Sequence, residues 1–552
     1  MSSMVNSAMS GLMAYQRAID VASQNIANAN TEGHVRLRVA FSPQVYVPGS
    51  AGVASGVRID GIRRDVSEFL IAQSRTATSA ASRAEIMSTY ANSLGNMLGS
   101  GAQGLDDSLQ TLKNAFEALS AAPASLLARD TLMTSLQDSI DRVKIFEDRL
   151  KSMTTGINTR VSEEVTAVND TLREIANLNK EIARSPTGTD GSPPPGMLDQ
   201  RDRLLDGLSK RMGIKVESAT LGMVTVKTTD GRVLVQSSDY ATLSVTDGRY
   251  DSNLKGVALV PAGGGASADL TSALGGGNLG GLIESRNSTV EATRIDIGRV
   301  VVALTRALNT QNAAGRTLDG TTGGNLLTAG GVTTLNANNN SAGFSGVTLS
   351  AVLDSAATSP PADEFIVTWS GSAWQVTKSA TGASVTSTLT GSDLSFENLT
   401  VTITGTGQAT GDSFLVRPAI AAVSGFARAT TNSRDLAAAS SSGTFGVGNN
   451  ANAIELVKSF EKLVLDSATV SVLGGASRLA TKLATQARSA ELSLEVQKTA
   501  ADEALKQRSD LYGVSLDEEA ADLLRYQQGY QAVASVIRTA KELFDTLLGA
   551  TG

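Results

Sequence analysis

Residues 5–33 read VNSAMSGLMAYQRAIDVASQNIANANTEG. Steps of seven from Val5 reach Leu12, Ile19 and Ile26, and a second register gives Ala8, Tyr15, Ala22 and Ala29. Two apolar registers three residues apart are the a/d stripe of a helix made to pair with another helix. Asn25, Asn28, Asn30, Thr31 and Gly33 then compete with helical hydrogen bonding and tolerate left-handed backbone, which predicts the helix end. The last forty residues repeat the device. Leu516, Leu523, Tyr530, Ile537 and Phe544 form one register, and Glu519, Tyr526, Val533, Ala540 and Leu547 the other. Ser515 and Glu518 make a capping box, and Asp517, Glu518, Glu519 and Asp522 suit the positive end of a helix dipole. With matching stripes at its two ends, the chain is expected to fold back so that its termini pair as a coiled coil.

The 552 residues carry 47 Lys and Arg against 54 Asp and Glu, a net charge of −7. That balance lacks the basic excess of a nucleic-acid binder. There is no cysteine and one histidine, His34. Disulfides, thiolate metal sites, cysteine nucleophiles and multi-histidine zinc sites are thereby excluded, and no catalytic, cofactor or metal residue is expected. No apolar run approaches the ~18 residues that would cross a bilayer, and the start lacks a secretory apolar region. Aromatic residues make up only 4% and glycines number 53, a composition suited to an elongated scaffold.

Between the ends, three- and four-residue apolar steps from Leu126 to Arg184 predict one rod of roughly 90 Å, with Gly156 as a possible bend and Pro186 and Pro193–Pro195 as its stop. A further tract, Arg478 to Arg508, is expected to lie beside it. Alternation between Leu221 and Val260, with Asp230-Gly231 and Asp247-Gly248, predicts hairpins. From Ala329 to Arg417 the chain turns rich in Ser, Thr and Gly and reads as an inserted all-β domain holding Trp369 and Trp374 as core anchors. The expected fold is mainly α with β, elongated and multidomain: residues 1–40 with 509–552 as the terminal coiled coil, 41–328 with 429–508 as a long-helix bundle carrying a small β element, and 329–428 as the outer β domain.

Three motifs invite chemistry. Gly275, Gly277 and Gly280 match GxGxxG, with Asp296 where a ribose-binding acid would be sought, but the preceding residues lack the buried strand of a βαβ unit, so a glycine-rich turn is expected. His34 follows the helix stop and reads as a polar or backbone-bonding residue. Asp363, Glu364 and Asp393 in the insert show no paired-acid spacing.

Residues 10–33, with Asn25, Asn28, Asn30, Thr31 and Gly33, resemble the N-terminal signature of bacterial flagellar rod, hook and hook-associated proteins. Residues 517–534, with Glu518, Gln527 and Tyr530, resemble the C-terminal signature of the same axial proteins. Leu198–Leu208, Gly280–Leu282 with Arg286, Asn309–Gly320 and Gly448–Ala453 narrow the likeness to the hook-associated protein 1 family. The pattern departs at Glu32, where proline is frequent, and at His34, where an aromatic is common. The resemblance implies a non-enzymatic structural subunit, exported through the flagellar type III apparatus to the extracellular flagellum and joining hook to filament. It implies a ring of identical subunits as homo-oligomer, with hook protein, a second hook-filament junction protein and an export chaperone at the C-terminal helix as partners, and no cofactor, nucleic acid or membrane insertion. Val5, Leu12, Ile19, Ile26, Leu516, Leu523, Tyr530, Ile537 and Phe544 are the expected assembly seam. Rival readings are another axial protein (hook protein or flagellin), or a secreted adhesin or enzyme acting through the insert.

Overall fold

The computed structural model describes residues 2–31, 33–44, 56–98, 104–185 and 193–551, so Glu32 and Pro186 lie outside the described residues, as does the side chain of Leu547. Among the described residues the α-helices are, in chain order, α1 (Ser2–Asn28), α2 (Glu68–Leu98), α3 (Leu105–Ala121), α4 (Leu126–Arg184), α5 (Pro195–Arg211), α6 (Gly277–Glu284), α7 (Ala292–Ala313), α8 (Ala451–Lys458), α9 (Val472–Tyr512) and α10 (Leu516–Thr551).

Helix α4 is the spine, 59 residues without interruption. Ser125 caps it by accepting a bond from the Ala128 amide, and its buried side from Leu132 through Ile182 keeps the three- and four-residue step that predicted it. Gly156 leaves the helix unbroken and has nothing within 4 Å of where its β-carbon would lie. Pro195 opens α5 at its first turn, where the missing amide costs nothing. Helices α3, α5, α6 and α7 and the small sheets formed by Ile214–Tyr240 and Thr242–Asp269 close around α4 in one continuous apolar core.

Two placements differ from expectation. The tract Arg478 to Arg508 lies within α9, and α9 runs antiparallel beside α2 rather than beside α4. The contact uses Ala84, Ala91 and Gly95 of α2 with Leu483, Ala487, Ala501 and Ala504 of α9, small residues that give almost no periodic signal in α2. Residues 419–428 return to the helical core, where Ala422, Val423 and Phe426 are buried.

The insert is two antiparallel sheets. One has the order 333–336, 413–417, 365–369, 374–378, 384–385; the other 348–353, 399–404, 393–396, 388–390. Phe365, Val367, Trp374 and Phe414 face Leu394, Phe396, Leu399 and Val401 in a separate core. Trp369 and Trp374 pair across the Ser370-Gly371-Ser372 turn, ring centroids 5.1 Å apart, and Trp374 meets Phe414 edge-on at 5.6 Å. The sandwich is bolted to the body by charge. Arg417 reaches Glu364 at 2.6 Å, Asp251 at 2.8 Å and Glu291 at 3.3 Å, while Arg306 of α7 donates to the carbonyls of Leu353, Asp354 and Ala357.

Gly275, Gly277 and Gly280 form a turn into α6. Gly277 has φ +65°, and a β-carbon on Gly280 would sit 2.7 Å from the Leu274 carbonyl. The preceding strand, Ala268–Asp269, belongs to an antiparallel sheet, so the glycines serve close packing. Gly281 presses on α2, its β-carbon position 2.9 Å from the Arg83 carbonyl. Two substitutions should therefore move stability in opposite directions. Gly156→Ala on the open face of α4 should stabilise the body by about 1 kcal/mol, and Gly281→Val should destabilise it by about 2 kcal/mol; urea unfolding followed by circular dichroism reads both, and the same sign for both would refute this packing.

Candidate functional site

Helices α1 and α10 lie antiparallel along each other, with Gly11 against Val533, Tyr15 against Tyr526 and Gly529, and Asn25 against Glu519. On α1 the buried line is Ala8, Gly11, Ala14, Ala18, Val21, Ala22 and Asn25. On α10 it is Glu519 and Ala540, with Leu523, Tyr526, Tyr530, Val533 and Ile537 half-buried. Small side chains on one helix thus admit large ones from the other. At Gly529 a β-carbon would lie 2.7 Å from the Tyr15 ring, so a larger residue there would push that ring aside.

The structure divides the nine seam residues. Leu523, Tyr530 and Ile537 lie in the contact between the helices. Val5, Leu12 and Ile19 are half-buried on the flank of α1, one position around from the buried line, and Ile26 is exposed. Leu516 and Phe544 are each 53% exposed, at opposite ends of α10. The register set by Gly11 and Val533 places Phe544 beyond the described part of α1. Met4, Met9 and Met13 on α1 and Leu524, Val536 and Leu543 on α10 are also exposed.

Of the signature residues, Asn25 has the largest task. Its Nδ2 donates to the Leu37 carbonyl at 2.9 Å and to Glu519 Oε2 at 3.0 Å, while its Oδ1 accepts from the Leu37 amide at 3.0 Å. The Arg36 guanidinium then donates to Glu519 Oε1 and Glu518 Oε2, both at 2.6 Å, and lies 3.4 Å from Asp522 Oδ2. Burial works against the charge on Arg36, but Glu519 and Glu518 outweigh it and hold its pKa above the ordinary value. The acidic first turn of α10 therefore grips an arginine as well as suiting the dipole. Asn28 bonds back to the Gln24 carbonyl, Thr31 to Asn28, and Gly33 takes φ +78° with its β-carbon position 2.7 Å from Arg203. Asn30 and Gln527 are exposed.

Below this knot, α5 offers three aspartates on one face, at steps of three and four. Asp199 meets Arg64 at 2.9 Å and His34 Nδ1 at 3.3 Å. Asp202 is held by Arg64 and, at 3.0 Å, by Arg75. Asp206 is held by Arg75 at 2.6 Å and Arg508 at 2.8 Å. Burial raises the Asp199 carboxyl above the usual range, helped by the charge of Asp202 and opposed by Arg64 and His34. Burial also disfavours charge on Asp202, yet Arg64 and Arg75 outweigh it and hold its carboxyl below that range.

Arg36, Arg64, Arg75 and Arg508 were not singled out from the sequence; the spacing of Asp199, Asp202 and Asp206 on one helical face was the available signal. Among the described residues, no group of three or more His, Asp or Glu is arranged to hold a metal. Asp363 pairs with Lys378, Glu364 with Arg417, and Asp393 accepts from Thr402, so each insert carboxylate has a structural partner.

The segments of this geometry match known families piece by piece. Residues 91–327 match the flagellar hook-associated protein FlgK helical domain, 334–418 the D2-like domain of flagellar hook-associated protein 1, 6–34 the flagella basal body rod protein family, and 511–550 the basal body rod FlgEFG protein C-terminal family. Flagellar hook-associated protein 1 of Salmonella typhimurium is 29% identical over 562 aligned residues, covering 99% of this chain and 100% of that protein. The chain belongs to the hook-associated protein 1 family. The Escherichia coli member is 28% identical, over 99% of this chain and all of its own. The flagellar hook junction protein FlgK of Burkholderia pseudomallei shares the fold, with a TM-score of 0.73 and 19% identity over 79% of this chain and 99% of that one.

The aspartate row yields a signed expectation. A folded-state pKa below the unfolded value means that Asp202 stabilises above about pH 4, and this contribution is lost as pH falls through its folded value. Asp199, raised by burial, has the opposite sign, because the fold favours its proton. Asp202→Asn should cost about 3 kcal/mol at neutral pH, since two buried arginines each lose one of their two carboxylate partners, and Asp199→Asn much less. Urea midpoints at pH 7 check this; equal costs would contradict it.

Proposed function

We propose that this chain is a structural subunit of the flagellum that joins hook to filament and supports filament assembly. The observation that carries the reading is the two-helix ribbon of α1 and α10. It is tied to the segment leading into the body by Asn25 with Leu37 and by Arg36 with Glu519, and leaves Met4, Met9, Met13, Leu524, Val536 and Leu543 uncovered. A contact whose α1 side is alanine and glycine buries little apolar surface for its length. In this proposal the ribbon acts as a coiled coil whose outer faces are covered by neighbouring copies in a ring. Val5, Leu12, Ile19 and Ile26, with Leu516 and Phe544, form the seam between copies, while Leu523, Tyr530 and Ile537 hold the ribbon itself. The body and β domain stack outward, toward hook protein on one side and a second junction protein on the other. Before export through the flagellar type III apparatus, a small chaperone covers the apolar face of α10. The chain works extracellularly, as a mechanical coupling and without chemistry. No described helix is long and apolar enough to cross a membrane.

The test is genetic. Deleting the gene should leave hooks without filaments and flagellin shed into the medium, and the unaltered gene should restore filaments. Ile537→Asp should fail to restore them although the protein accumulates. Normal filaments in the deletion strain would refute the junction role, and normal filaments with Ile537→Asp would refute the ribbon's part in it.

A further inference from the structure

The joint between ribbon and body inverts the usual arrangement. Its interior is charged, with Arg36, Arg75, Asp199, Arg201 and Asp202 buried. Its apolar residues face outward: Val66 is 38% exposed, Phe69 74%, Leu511 60% and Leu516 53%. Val35, Leu37, Ile71, Leu205 and Tyr512 are buried apolar groups of the same segments. An apolar joint is non-directional and can slide, whereas forked arginine–carboxylate pairs are directional and hold one geometry.

The segment His34-Val35-Arg36 belongs to two knots at once. His34 faces α5 through Asp199, and Arg36 faces α10 through Glu518 and Glu519. The Arg36 amide also donates to the Tyr512 carbonyl at the end of α9, at 3.1 Å. From the other side, α5 reaches the hairpin strand Val57–Arg64 through Arg64, the start of α2 through Arg75 and the end of α9 through Arg508. The helix α5 therefore grips the connection after α1 at His34 and, through Arg64, Arg75 and Arg508, the hairpin strand and helix ends beside both connections.

We propose that the aspartate row Asp199, Asp202 and Asp206, acting with His34 and Arg36, is a latch that sets the angle between ribbon and body. Removing its charge lets the ribbon swing as a unit while ribbon and body each stay folded. The direction of the effect follows from burial. With the carboxylates neutral, the arginines keep their charge and lose their partners, so the geometry that buried them is no longer favoured. The latch depends on the fold and not on the flagellar role, so its failure leaves the junction reading standing.

The absence of cysteine makes the test direct. Spin labels on Gln531→Cys in α10 and Ser493→Cys in α9, both exposed positions, report the angle by pulsed electron–electron resonance on the full chain. The parent should give one narrow distance distribution. Asp202→Asn with Asp206→Asn should broaden it at least twofold, while control pairs within the body (Asp148→Cys with Ser493→Cys) and within the ribbon (Arg17→Cys with Gln531→Cys) stay narrow. Arg508→Gln, which removes a single arm, should broaden the ribbon-to-body distance less and leave both controls unchanged. A parent distribution that is already broad, or a double variant that stays narrow, overturns the proposal. So does broadening of the control pairs by the double variant when Arg508→Gln changes nothing.

Discussion

One buried contact closes the molecule: the Glu519 carboxylate receives Asn25 Nδ2 on one oxygen and Arg36 Nε on the other, across 494 and 483 residues of chain. Such a separation would make a poor anchor if the loop had to be closed by this contact. It does not, because α2 and α9 lie antiparallel through the body and already bring residues 68 and 512 to the same end. The termini leave the body side by side, and the clamp only has to fix their orientation. Each doubling of a loop costs about 0.6 kcal/mol, so a 500-residue separation is affordable once the body has formed.

The same device recurs where the outer domain meets the body. Arg417 among Glu364, Asp251 and Glu291 faces inward, and Arg294 bridges Glu291 to Glu147 on the spine. Glu364, raised by burial, and Arg417, raised by its carboxylates against burial, are each kept in place by the other. Buried ion pairs add little net stability over apolar packing. Their value lies in specificity, since few orientations satisfy several forked contacts at once. A scaffold that carries load between neighbours needs fixed angles between its pieces, and both joints place directional contacts where the angle is set. The π-helical segment Ser285–Glu291 between α6 and α7 turns Glu291 into the second joint and Arg286 toward Asn158 and the Lys255 carbonyl.

Long, strongly periodic elements were legible in the sequence. Helix α4 begins and ends at the residues its pattern predicts, because a 59-residue apolar stripe and its proline stop leave no competing reading. The hairpin at Asp230-Gly231 follows from turn chemistry, with Gly231 at φ +94°. Helix α2 was not legible, since Ala, Ser and Thr dominate it and its partner accepts small side chains. Of the two registers read on α1, the one with Ala8, Tyr15 and Ala22 makes the contact, together with Gly11, Ala14 and Ala18, whereas the seam was placed on the larger Val5, Leu12 and Ile19, which lie on its flank. Size marks where apolar surface is available, but a close helix–helix approach selects for its absence. The arginines of the joint carry no local pattern, because each pairs with an acid far away in the chain.

The antiparallel closure of the two ends is tested most directly by oxidation of a Gly11→Cys, Val533→Cys double variant. The account predicts an intramolecular disulfide, seen as a faster-migrating monomer on a non-reducing gel and abolished by reductant. A Gly11→Cys, Leu524→Cys chain, with the second thiol on an exposed position of α10, should remain open. Disulfides only between chains, or equal closure in both variants, would contradict the pairing on which the rest is built.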